Sequence, residues 1–401
     1  YQCCILGGVF AARRRSPMPA TPASSAPTPA SAPVIGVGLI GSQFISRSHA
    51  EALRRFVPGA ELRAVASPTP GHAEALAREF AIPHAFCDAR AVLDRRDVDL
   101  VVIGVPNDLH AEMAIAAAQA GKHVAVEKPL CMTLAEADAM IAACAAAKTH
   151  LFYAEELVFA PKYARLMRLI EEGAVGRPYL VKQLEKHSGP HSSWFWDVDR
   201  AGGGVLFDMG CHGIEFARWL LGKPAIRAVT AHCATVAHAG RTRAEDDGLM
   251  VLEFAGGGRA VIEDSWAFFG GMDDRAEVYG TEGSVFCDLA HGNAMKTWSN
   301  PGYGYAMEKA ASTRGYSFTV FEEGWNYGFP QELQHMVDCL RFGHPPRETG
   351  ADGREVLRIL FAAYESAAQG RTVRMDGYQP AYPSRPIEAW LRRPGAENPR
   401  G

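Results

Sequence analysis

The chain has 401 residues, 48% of them hydrophobic and 21% charged, with a formal net charge of −4. That is long enough for more than one domain and ordinary for a globular protein. It gives no charge drive toward nucleic acid or an anionic membrane surface, and no apolar run is long enough to span a bilayer. The nine cysteines are scattered without a C-x-x-C spacing. They read as free thiols in a reducing compartment, with no metal site. The apolar start precedes Arg13-Arg14-Arg15, the reverse of a secretory signal, so a cytoplasmic protein is expected.

Residues 16–33 are Ala, Pro, Ser and Thr apart from Met18, and residues 1–33 are read as a disordered leader. From Val34 the pattern is strand, turn, helix, repeated. "PVIGVGLIG", "ELRAVAS", "VDLVVIGVPN", "HVAVEKP" and "LFYAEE" read as strands, with helical segments between them. Alternating βα units of this length predict a doubly wound parallel sheet over residues 34–153. From 154 to 376 strands cluster, "AGGGR" marks a hairpin, and two helices come late. This predicts an α+β second domain with a large, mostly antiparallel sheet. Residues 377–401 form a Pro-rich tail that wraps the surface or frays.

Five stretches carry the chemistry. The first is Gly36-x-Gly38-x-x-Gly41, with Leu39 and Ile40 between the last two glycines. It follows a strand and opens a helix, so it is the candidate cradle for a dinucleotide pyrophosphate. An acid at the end of the second strand would select NAD; this chain has Ser67 and Thr69 there, and either NAD or NADP fits. Next, "GVPNDLH" ends a buried strand and places Pro106, Asn107 and His110 on the same rim; a capped turn would read the same way. Third, Glu127-Lys128-Pro129 closes the following strand. A lysine near a nicotinamide can have its pKa lowered by desolvation and nearby cations and act as acid or base; a snorkelling surface lysine is the plain alternative.

The fourth stretch is "AGGGVLFDMGCHGIEFARWLLG". Its glycines permit a close backbone approach, and Asp208 and His212, four apart, share one helix face. Histidine suits proton transfer near neutral pH. The fifth is "EKHSGPHSSWFWDVDR", where His187 and Trp196 are candidates for binding a polyhydroxylated substrate; aromatic core packing accounts equally well for Trp194 and Phe195.

These motifs occur in the order of a known family. "GVPNDLHAEMAIAAAQAGKHVAVEKPL", "GGGVLFDMGCH" and "VYGTEGSV" resemble the glucose–fructose oxidoreductase/inositol dehydrogenase/rhizopine catabolism (Gfo/Idh/MocA) family from about Val34 to Met375. The resemblance implies a Rossmann domain followed by a domain with an open-faced sheet. It also implies a nicotinamide cofactor and hydride exchange with a sugar, cyclitol or sugar acid. By the same resemblance Lys128 lies beside the nicotinamide, Asp208 and His212 are its catalytic partners, and Glu127 holds a cofactor ribose. It further implies homodimers or homotetramers. The segment "YAEELVFAPKY" departs from the Asn-x-Arg pattern usual there, and Glu155 or Glu156 is then a candidate contact for substrate hydroxyls. Besides a dehydrogenase, two rivals remain open on sequence: an enzyme that oxidises transiently and returns the hydride, and a catalytically silent sugar sensor.

Overall fold

A computed structural model describes residues 33–290, 295–302, 312–319 and 323–394. The leader, apart from Pro33, lies outside the described residues. Strands β1 (Ile35–Ile40), β2 (Ala60–Ala66), β3 (His84–Phe86), β4 (Leu100–Ile103), β5 (His123–Glu127) and β6 (Leu151–Ala154) form a parallel sheet. Its order is β3-β2-β1-β4-β5-β6, that of a dinucleotide-binding fold, with the order reversing between β1 and β4. The crossovers carry α1 (Phe44–Phe56), α2 (His72–Phe80), α3 (Arg90–Leu93), α4 (His110–Gln119) and α5 (Leu134–Ala147). β1 and β4 are buried along their whole length, as strands covered on both faces must be. α5 starts at a capping box: Glu136 N–H donates to Thr133 Oγ1 at 3.0 Å, and Thr133 N–H donates to Glu136 Oε2 at 2.9 Å.

The glycines of β1 do different work from that expected. Gly36 and Gly38, with Leu39 and Ile40, lie inside the strand. A Cβ on Gly36 would collide with the Asp97 carbonyl, and one on Gly38 would meet Val92 and Val98. They are packing glycines. Gly41 alone stands past the strand, at φ +116°, where a Cβ would strike the Gly104 carbonyl. The ends of β1 and β4 are pinched together at that point.

Beyond β6 come α6 (Pro161–Glu171), β7 (Pro178–Lys186), α7 (Val198–Ala201), α8 (Val205–Asp208) and α9 (Gly210–Leu220). They are followed by β8 (Ile226–Ala234), β9 (Asp247–Phe254), β10 (Arg259–Ser265), β11 (Asp273–Gly280) and β12 (Ser284–Asp288). β13 (Met295–Ser299) and β14 (Gly315–Thr319) pair with each other. The chain continues with α10 (Glu323–Tyr327), α11 (Phe329–Phe342), α12 (Gly350–Gln369), β15 (Val373–Arg374) and α13 (Glu388–Leu391). The second sheet has the order β12-β11-β7-β10-β9-β8-β15. Its pairs are antiparallel except β7–β10.

The inner face of this sheet presents Met250, Leu252, Phe254, Ala260 and Ile262, all buried, each large apolar side chain contributing about 1.5–3 kcal/mol. α9 lies on that face because Gly210 and Gly213 let it: a Cβ on Gly213 would meet Ile262 and Gln183. α12 packs against α5 and β8, and α11 against α1, so the late helices tie the second sheet to the first. Between Gly377 and residue 394 the tail docks, with Ile387 and Trp390 buried. The described cysteines are unpaired, and no described helix is long and apolar enough to cross a membrane.

Candidate active site

The carboxyl ends of β1, β2, β4 and β5 and the inner face of the second sheet enclose a cleft of about 1140 Å³. Gly41, Ser67, Thr69, Pro106, Asn107, His110, Glu127 and Lys128 line it, as do His187, Asp208 and His212. Gly36, Gly38, Leu39, Ile40, Glu155 and Trp196 do not. The first four are strand residues. Glu155 is fully buried behind His212. Trp196 turns away, under the Arg241 guanidinium at 4.0 Å and edge-on to Trp266. It is Trp194 and Phe195, stacked on each other, that reach the cleft.

The turn that enters α1 is therefore Gly41-Ser42-Gln43-Phe44-Ile45-Ser46, which begins on the last glycine of the Gly-x-Gly-x-x-Gly spacing. Counted from Gly41, Gln43 and Ser46 stand where second and third glycines would. Ser42 Oγ donates to Ser67 Oγ at 2.9 Å, and Gln43 Nε2 lies 2.7 Å from His72 Nδ1. These contacts join the β1 and β2 loops. The first N–H groups of a helix lack intrahelical acceptors. Those of α1 follow a turn with no room for a Cβ at Gly41, which suits a pyrophosphate at the switch point. The residues present thus fit a dinucleotide. Asn107 is anchored by donation from Nδ2 to the Ala201 carbonyl, 2.8 Å. The His110 ring sits between the Pro129 and Val105 carbonyls, 2.9 Å from each, and holds the β4 loop to the β5 loop.

At the end of β5, Glu127 Oε1 meets His49 Nε2 of α1 at 2.6 Å, both residues buried. Burial alone would raise Glu127; the hydrogen bond and charge of His49, with Lys128, bring it below the usual carboxylate range. Lys128 Nζ donates to the Asp208 carbonyl at 2.9 Å and to Asp208 Oδ1 at 3.1 Å. Burial opposes the ammonium, but Asp208 and other nearby acids, Glu156 and Glu185 among them, hold its pKa well above the ordinary value. The expectation of a lysine with a lowered pKa is therefore corrected: acids, not cations, surround it. Burial acts against Asp208 as well, and Lys128 keeps it ionised.

Asp208 and His212 do not share one continuous helix. The chain breaks at Met209, with Asp208 ending α8 and His212 in the first turn of α9. The carboxylate on His212 is Glu155: Oε1 lies 2.6 Å from Nδ1. Nε2 is left on the side of cleft-lining Glu156, 3.7 Å from its Oε1. Burial lowers His212 to about 4, so the ring is neutral near pH 7. Burial also raises Glu155 well above the carboxylate range and Glu156 to about 7. Cys211 is raised likewise, and its Sγ donates to the Asp208 carbonyl at 3.1 Å. Ligand atoms of Glu155, Cys211 and His212 converge within 4.8 Å, though the thiol there is protonated.

The triple glycine owes its presence to protein, not ligand. A Cβ on Gly204 would collide with the Glu245 carbonyl, and one on Gly203 with Phe207 and the Tyr364 hydroxyl. Tyr364 OH accepts from Gly204 N–H at 3.1 Å and donates to Glu245 Oε1 at 2.7 Å; Leu206 N–H donates to the same oxygen at 3.0 Å. Buried Glu245 thereby sets the start of α8 and, through it, Asp208.

Sequence reasoning overlooked Ser42, Gln43, His49 and Glu185, and the cleft wall supplied by Trp325, Tyr327 and Phe329 of α10 and α11. His49 had a signal, being on the apolar stripe of α1 with Ala50 and Leu53. The α10 and α11 residues had none, since they reach the cleft from a distant part of the chain.

Comparison with known proteins agrees with this architecture. The family described as an oxidoreductase family with NAD-binding Rossmann fold matches residues 35–155, and the GFO/IDH/MocA C-terminal domain matches residues 163–286. The chain is 32% identical over 351 residues to scyllo-inositol 2-dehydrogenase (NAD(+)) of Bacillus subtilis, covering 86% of this chain and 95% of the relative. It is 32% identical over 384 residues to levoglucosan dehydrogenase of Pseudarthrobacter phenanthrenivorans, covering 84% and 96%. Among solved structures, GenD2 from gentamicin A biosynthesis in complex with NAD superposes with a TM-score of 0.80 at 34% identity, covering 86% of this chain and 97% of that one. With both halves matched in order, the chain belongs to the Gfo/Idh/MocA family of NAD-binding oxidoreductases.

Proposed function

We propose that the protein is a dehydrogenase acting on a secondary hydroxyl of a polyhydroxylated ring, a sugar or cyclitol, with Lys128, His212 and Asp208 as its reacting groups. The nicotinamide, when bound, supplies the hydride acceptor or donor. The observation that carries the reading is a neutral imidazole and an ammonium facing one cleft at the end of β5. His212 takes the hydroxyl proton at Nε2 while Nδ1–H donates to Glu155. Lys128, fixed by Asp208, donates to the same substrate oxygen and steadies its developing negative charge. Relatives of this chain are named as dehydrogenases of inositols and levoglucosan, which supports the substrate class.

Gly41, Ser67, Thr69, Pro106, Asn107 and Glu127 line the part of the cleft where a dinucleotide fits, and His187 the substrate side. The test is nicotinamide absorbance with NAD and with NADP against sugars and cyclitols, with product followed by mass. Net reduction is expected with one of the two cofactors. Product formed without net reduction, or no turnover with any sugar or cyclitol, would refute the reading.

A further inference from the structure

The floor of the cleft carries more carboxyl groups than this chemistry uses. β10, β7 and β11 are neighbours, and their register sets Asp264 opposite Glu185 and Glu185 opposite Asp274. The three acids form one row on the buried face, 0%, 6% and 0% exposed. Like charges directly opposite one another destabilise a sheet. Tyr163 OH donates to Asp274 Oδ1 at 2.9 Å, but both Asp264 oxygens and Glu185 Oε2 have no hydrogen-bond partner. The row opens to the cleft at Glu185. Glu156, 7% exposed and also lining the cleft, brings a second unpartnered oxygen, Oε2.

The bases facing these acids are already engaged. Lys128 is held by Asp208, His212 by Glu155, and His187 Nδ1 accepts from Gly189 N–H. Burial pushes Glu185 and Asp264 well above the carboxylate range and Glu156 to about 7. They keep protons that a cation in the cleft would displace. A buried polar atom without a partner is costly, so such a row calls for a physical account.

We propose that Glu185 and Glu156 form a subsite for a positively charged amine on the substrate, so that the enzyme takes an amino sugar or aminocyclitol rather than a sugar acid. An ammonium offers several donors on one compact group, which matches two carboxyl groups that line the cleft from two elements. A divalent ion fits less well. Among the described residues the groups whose ligand atoms converge are Glu155–Cys211–His212 and Glu215–Glu348–Asp352, and neither includes the row. The identity of the substrate rests on the dehydrogenase reading above; the amine subsite is testable without it.

The NAD-loaded enzyme is titrated with D-glucosamine, D-glucose, N-acetyl-D-glucosamine and D-glucuronate, with magnesium chloride alone as a further probe. Binding is followed by thermal unfolding and turnover by nicotinamide absorbance. Glucosamine is expected to bind about ten-fold or more tightly than glucose and the N-acetyl sugar. In Glu185→Gln that preference should collapse, with the ligand-free midpoint little changed because glutamine is as neutral as the protonated acid it replaces. Equal or weaker binding of glucosamine overturns the proposal, as does stabilisation by magnesium alone. Preferential binding of glucosamine with no reduction of NAD or NADP by any sugar supports the subsite and sinks the dehydrogenase reading. Reduction with neutral sugars and no amine preference does the reverse.

Discussion

Glu155→Gln probes the proton path directly. Glu155 is fully buried, its Oε1 is 2.6 Å from His212 Nδ1, and it never touches the cleft. It therefore acts only through the histidine. A hydrogen bond to a charged group contributes about 1.5–3 kcal/mol, and this one strengthens as His212 gains its proton. Glutamine still accepts from Nδ1–H but carries no charge, so turnover should fall about ten- to hundred-fold, with KM changed little. The pH profile separates this from a packing defect. Burial holds Glu155 above the carboxylate range, so the base form of the pair emerges only as pH rises, and wild-type oxidation should rise with it. The variant lacks that titration, and its acid limb should move to lower pH. Initial rates of nicotinamide reduction across pH give both readings. Unchanged turnover, or a lowered rate with an unmoved profile, would refute the role.

Lys128→Met should lower kcat/KM by about 10² or more, since it removes the donor to the substrate oxygen and strands Asp208; activity within two-fold of wild type would exclude Lys128 from the reaction. Gln43→Gly should tighten NAD binding, because glycine lets the backbone approach the pyrophosphate; calorimetric titration showing equal or weaker affinity would contradict this. Stability should fall as pH rises. Glu245, Glu156 and Asp274 are each raised by burial to about 7 in the folded chain, above a carboxylate's unfolded value. The folded state then binds more protons, and its advantage is full below about pH 4 and lost as pH rises through about 7. Tm measured from pH 5 to 8.5 should decline, less steeply in Glu245→Gln; a rising Tm would contradict the assignment. Gly204→Ala should destabilise by about 2–4 kcal/mol, since its Cβ would meet the Glu245 backbone; an unshifted urea midpoint would show that α8 can yield.

Much of the fold was legible because its signals are local. The apolar run of β4, the Ala-rich α5 with its Thr133–Glu136 cap, and the regular βα alternation each follow from neighbours in sequence. The same local reading misplaced the glycine turn, since Gly36 and Gly38 satisfy a spacing while serving as packing residues against Asp97 and Val92. It also joined Asp208 and His212 on one helix, which breaks at Met209.

Sequence by itself determined that a parallel dinucleotide-type sheet precedes a mostly antiparallel one, and that Lys128 follows the end of a strand. Tertiary structure decided which groups meet and in what charge state. Glu155 reaches His212 across 57 positions, Lys128 reaches Asp208 across 80, and β-strand register aligns Asp264, Glu185 and Asp274. Periodicity reports only which face of an element is buried. The proton affinity of a lysine or histidine depends on burial and on charges brought from distant parts of the chain, and packing alone supplies both.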